Sequence, residues 1–103
     1  MAEGLKLNRE EVLKKLKELK PLLRQKFGVV EIGLFGSVAR GDNTEKSDLD
    51  LLIKVKREKF SLIDFVSLKN FLEERLNCKV DLVIEKAIKP RLKERILKEA
   101  IYV

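Results

Sequence analysis

At 103 residues, 45% of them hydrophobic, the chain has material for one modest core and none for a second recognition domain, so one domain over residues 1–103 is expected. It has no histidine, which excludes Ser-His-Asp and Cys-His catalysis, disfavours a zinc centre, and leaves proton abstraction to a carboxylate, a lysine or the substrate. A net charge of +6 suits nucleotides, RNA or an acidic protein surface as readily as a merely solvated face, while the lone Cys78 and the short apolar runs lead us to expect a soluble, cytoplasmic protein without disulfides or membrane spans.

Asn8, with Glu11 three residues on, opens a first helix whose apolar stripe is Val12, Leu16, Leu19 and Leu23. Pro21 lacks the N–H that bonds back one turn, so a kink is expected, or a break with a short second helix over 21–26; Gly28 suits the helix end. Residues 29–35 read as a strand with Val30, Ile32 and Leu34 on one face. Gly36 stops it, 37–40 forms a short helical turn, and 41–47 is a polar loop. Residues 48–55 form the second strand, with Leu49, Leu51, Ile53 and Val55 facing one way and Asp48, Asp50 and Leu52 the other. Ser61 and Asp64 start a long helix with Phe65, Leu68, Leu72 and Leu76 buried, and Asn77 ends it. Residues 79–84 are the third strand, where Val80, Leu82 and Ile84 oppose Asp81. Pro90 opens a last helix with Leu92, Ile96 and Ala100 turned inward. The short link between the first two strands makes them antiparallel neighbours, and a helix separates the second from the third. The expected class is α+β: a small mixed sheet with helices packed against it.

Chemistry concentrates in Gly36-Ser37, ten residues, then Asp48-Leu49-Asp50. On a strand the two acids lie roughly 6.5–7 Å apart and share a face. Carboxylate oxygens are ligands that Mg²⁺ prefers. The bland alternative is two exposed acids at a strand start. Asp81 interrupts an apolar strand; it either faces solvent or joins the other acids as a third carboxylate, the set that two-metal phosphoryl transfer uses. Gly36 and Ser37 would let backbone and hydroxyl approach a phosphate, or simply make a strand-to-helix turn. Arg40, one turn on, would contact a triphosphate or brace the loop through Asp42 or Asp48. There is no Walker-type P-loop.

Leu34-Phe35-Gly36-Ser37-Val38-Ala39-Arg40-Gly41 and Ser47-Asp48-Leu49-Asp50-Leu51-Leu52-Ile53 together resemble the signature of the DNA polymerase β-type nucleotidyltransferases, in particular the minimal nucleotidyltransferases, or MNT proteins. The resemblance covers essentially the whole chain. It implies a polymerase β palm-like mixed sheet. It also implies that Gly36 and Ser37 hold the triphosphate, and that Asp48, Asp50 and Asp81 bind two Mg²⁺ ions; Arg40 and Ser47 are further nucleotide-binding candidates. Asp81 would also help deprotonate the attacking hydroxyl. The reaction it implies moves a nucleoside monophosphate from an NTP to a hydroxyl and releases pyrophosphate. For MNT antitoxins this is AMP from ATP to a tyrosine of a HEPN-type ribonuclease toxin, held in a hetero-oligomer.

The competing reading is an antitoxin that covers its partner by contact alone, through Lys89, Arg91, Lys93, Arg95 and Lys98 of the last helix. Nucleic-acid binding is disfavoured, because the few aromatics sit mostly on apolar stripes and leave no stacking platform.

Overall fold

The computed structural model describes residues 8–44, 46–56 and 58–103. Helix α1 (Arg9–Phe27) starts at Asn8, whose side chain accepts the Glu11 amide at 3.1 Å, and ends at Gly28 in the left-handed region, with φ 76°. The helix runs through Pro21, so the alternative of a break with a separate second helix is corrected. The physical reason lies in the geometry of the stripe. Val12, Leu16, Leu23 and Phe27 are buried, whereas Pro21 and Lys17 are exposed, so the carbonyl that Pro21 cannot serve faces water.

Strand β1 (Val29–Phe35) leads into the one-turn helix α2 (Gly36–Arg40), and the loop beyond it, apart from Glu45, which lies outside the described residues, leads to β2 (Leu49–Val55). Pairing of β1 with β2 is antiparallel, with a register shift between Val29 and Glu31. Val30 is the extra residue of this bulge, so Val29 rather than Val30 is buried with Ile32 and Leu34, which corrects the simple alternation expected from sequence. Helix α3 (Leu62–Leu76) begins with a reciprocal Ser61–Asp64 capping box and ends at Asn77, φ 54°. It crosses over to β3 (Val80–Ile84), which lies parallel to β2. The second and third strands each begin one residue later than their sequence patterns suggested.

After a 3₁₀ turn (Glu85–Ala87) come α4 (Pro90–Glu99) and a two-residue strand β4 (Ile101–Tyr102), antiparallel to β1. The strand order is β3-β2-β1-β4, a mixed sheet in an α+β fold. Helices α1 and α3 meet over one face, where Leu16, Leu23, Ile32, Leu34, Leu49, Leu51, Ile53, Leu68 and Leu72 are all at 0% exposure. These side chains close one apolar core, and their burial is the main source of stability. No helix among the described residues is long and apolar enough to cross a membrane.

Two sequence expectations fail at the C-terminal end. None of the α4 side chains is buried: Leu92 is 42% exposed, Ile96 is half-buried, and Ala100 is the helix cap rather than an inward stripe position. The helix contacts α2, and among the described residues its apolar stripe stays partly exposed. Strand β4 has no sequence signal of its own, since two residues are too few to show a period.

Candidate active site

The site lies on the sheet face opposite the α1–α3 core, and strand register assembles it. Phe35 pairs with Asp50 across β1 and β2, which sets the start of α2 directly beside that carboxylate. Gly36 adopts φ 76°. A Cβ built there would overlap Asp50 Oδ2 and stand 2.8 Å from Asp50 Cγ. Only glycine meets both demands, because the backbone conformation is left-handed and the side-chain space belongs to Asp50.

Asp50 in turn pairs with Asp81 in the parallel β2–β3 register, which sets the two residues side by side. Burial, then the charge and hydrogen bond of Asp81, then the charge of Asp48, push the Asp50 carboxyl from an ordinary 3.8 up to about 6; Arg40 opposes the rise. Asp48 lies one residue ahead of β2 and is exposed. Among the described residues, no three Asp, Glu, Cys or His side chains close into a ready-made metal cage. Register thus sets Asp50 beside Asp81, and both Asp81 and Asp48 lie near enough for their charge to raise the Asp50 pKa.

The remaining expected residues divide. Ser37 is half-buried in the turn, and its carbonyl accepts the Gly41 and Asp42 amides at 2.9 and 3.1 Å. Arg40 takes up the bracing alternative: its Nε donates to Asp42 Oδ2 at 3.1 Å and its Nη1 to Glu99 Oε1 at 3.1 Å. Those two carboxylates raise the Arg40 pKa, Asp42 first. The Ser47 hydroxyl is tied into its own loop, accepting the Thr44 amide at 2.9 Å, which makes it a loop brace in this structure. Arg9 Nη1 donates to the Ala39 carbonyl at 2.8 Å and so anchors α2 to the first helix.

One residue escaped the sequence reading. Glu99 Oε1 accepts the Gly36 amide at 2.8 Å across 63 positions of chain. The available signal was an acid as the last residue of a helix, where the dipole disfavours negative charge. A cavity of about 680 Å³ at the far end of β2, lined by Arg24, Glu31, Lys54 and Lys86 among others, contains none of the expected residues.

The donor set fits a divalent cation. Mg²⁺ is commonly held by one or two carboxylates together with substrate phosphates, and the Asp50–Asp81 pair offers hard oxygens burdened with surplus negative charge. The nucleotidyltransferase domain family matches residues 16–103. The chain belongs to that family. Protein adenylyltransferase MntA of Thermococcus cleftensis is 41% identical to the nucleotidyltransferase over 97 residues, spanning 94% of this chain and 97% of that protein. A solved structure of a candidate minimal nucleotidyltransferase superposes with a TM-score of 0.80 at 39% identity, covering 95% of this chain and 98% of that one. A structure of tri-AMPylated Shewanella oneidensis HEPN toxin in complex with MNT antitoxin shares the fold, with a TM-score of 0.58 at 21% identity, over 92% of this chain and 68% of that one. The nucleotidyltransferase therefore carries its Gly-Ser turn and its acids on the mixed sheet that the family signature implied.

Proposed function

We propose that the chain is a Mg²⁺-dependent protein adenylyltransferase that moves AMP from ATP to a hydroxyl, a tyrosine of a HEPN-type toxin, and thereby acts as an antitoxin. The observation that carries this reading is the Asp50–Asp81 pair packed against the Gly36 turn. The acceptor oxygen forms a bond to the α-phosphorus, the bond to the pyrophosphate oxygen breaks, and the hydroxyl proton passes to the carboxylate pair. A carboxylate whose pKa is raised toward neutral by burial and neighbouring acids accepts a proton more readily than an ordinary one. Asp48, Asp50 and Asp81 would hold the metal, two ions in the family pattern, which when bound would neutralise the triphosphate and the leaving pyrophosphate. Gly36 and Ser37 would seat the phosphates, with Arg40 beside them. Ser47 would serve indirectly by shaping the loop that leads into the acids.

The protein acceptor follows from size and from likeness. The described chain holds little beyond the sheet and its helices, so a folded acceptor would supply specificity that the site lacks. The similarity to MntA and to the fold of the AMPylated toxin complex supports the same acceptor class. The test uses α-labelled ATP, Mg²⁺ and the cognate toxin. Label should appear on the toxin with wild type and vanish with Asp48→Asn, while the variant keeps its thermal transition. A folded wild type that leaves the toxin unlabelled contradicts the proposal.

Contact-only neutralisation is the second reading. The observation favouring it is that α4 carries Arg91, Lys93, Arg95 and Lys98 on its exposed surface. It wins if Asp48→Asn/Asp50→Asn neutralises the toxin as well as wild type does.

A further inference from the structure

Glu99 links the last helix to the turn on which nucleotide binding is placed. One oxygen, Oε1, accepts both the Gly36 amide at 2.8 Å and Arg40 Nη1 at 3.1 Å. The Glu99 side chain is 25% exposed, more sheltered than a typical surface ion pair, and one of its two donors is a backbone group that cannot move away independently. Its own backbone is held in turn. Ala100 donates to the Ile96 carbonyl at 2.9 Å, and the next two residues pair with β1 at Leu34 and Gly33. A fixed carboxylate therefore clamps a left-handed glycine and an arginine relative to each other. Asp42 takes the Arg40 Nε, Glu99 takes Nη1, and the guanidinium's further N–H donors keep a set direction.

We propose that Glu99 is a positioning residue of the transferase: it fixes the Gly36 amide and the aim of Arg40 so that the turn is shaped for a nucleotide triphosphate before one arrives. This rests on the nucleotidyltransferase reading of the same turn. Its effect is indirect, through Gly36 and Arg40, and belongs to nucleotide affinity rather than to the acid pair.

The experiment measures binding of a non-hydrolysable ATP analogue with Mg²⁺ by titration calorimetry, and Mn²⁺ binding without nucleotide, on folded wild type, Glu99→Gln and Glu99→Ala. Gln keeps an acceptor for Gly36 and loses the charge opposite Arg40; Ala loses both. Losing a charge-assisted hydrogen bond should weaken the analogue by about tenfold in Glu99→Ala and by about threefold in Glu99→Gln, with Mn²⁺ affinity unchanged. In AMP transfer the KM for ATP should rise in the same order with kcat held. Equal or tighter analogue binding by Glu99→Ala overturns the proposal, and tighter binding would show that Glu99 competes with phosphate. A parallel loss of Mn²⁺ affinity also overturns it, because that marks a general disturbance of the site. If wild type itself fails to bind the analogue, the transferase reading falls, whereas wild-type binding with an indifferent Glu99→Ala sinks the positioning role alone.

Discussion

Replacing Gly36 by alanine tests whether the glycine of the turn is required by the acid that faces it. Two penalties add. An L-residue held at φ 76° costs about 1–2 kcal/mol against glycine. The new Cβ would also overlap Asp50 Oδ2 and stand 2.8 Å from Cγ, so the carboxylate must leave its rotamer at a further cost of about 1 kcal/mol. Wild type and Gly36→Ala are compared by urea unfolding, and again in an Asp50→Ala background. That background removes the oxygens and Cγ but keeps the Cβ at 3.1 Å. We expect a loss of about 2–3 kcal/mol in the first background, about 1–2 in the second, and a coupling of about 1 kcal/mol between the sites. A cost below about 0.5 kcal/mol, or the same cost in both backgrounds, would refute the steric argument.

Two further outcomes follow from the same structure. Because the folded-state pKa of Asp50 is raised from 3.8 to about 6, the folded chain binds this proton more tightly than the unfolded chain does. In metal-free buffer its contribution to stability is full below about pH 4 and is lost as pH rises through about 6. The shift has a ceiling of about 3 kcal/mol, reduced to about 1–2 by the partial exposure of Asp50. Thermal unfolding with a chelator should show this slope in wild type and a flatter profile in Asp50→Asn; identical profiles contradict the assignment. Ser61→Ala breaks the reciprocal cap of α3 and should cost about 1 kcal/mol while leaving nucleotide binding intact, as urea unfolding and calorimetry would show. A change in nucleotide affinity would mean that this cap reaches the site.

Local chemistry made much of the fold legible. Asn8, Gly28, Ser61 and Asn77 mark helix ends through hydrogen bonds made within a few residues, and the structure places those ends there. The face carrying Asp50 opposite Leu49, Leu51 and Ile53 follows from a period of two, and three-strand register then brings Asp81 alongside. What stayed hidden depends on distant partners. The Val30 bulge is a property of the β1–β2 pairing, not of β1 alone. Survival of α1 through Pro21 depends on which side of the helix faces water. The exposure of Leu92 depends on what α4 packs against, although its amphipathic pattern and Pro90 start read as an ordinary packed helix. Glu99 shows in the sequence only as an acid at a helix end, and nothing in residues 90–99 says that it reaches a turn 63 positions earlier.

That separation has a consequence for the order in which the protein becomes competent. Ribosomes deliver the Gly-Ser turn and Asp50 first, Asp81 later, and the Glu99 clamp later still. A nascent chain that has emerged only through β2 displays the whole signature yet has neither the Asp50–Asp81 pair nor the fixed turn. Non-local closure of this kind comes late in assembly. The motif precedes the site in time, and the site closes only after the segment from Asp81 to Tyr102 has docked on the sheet.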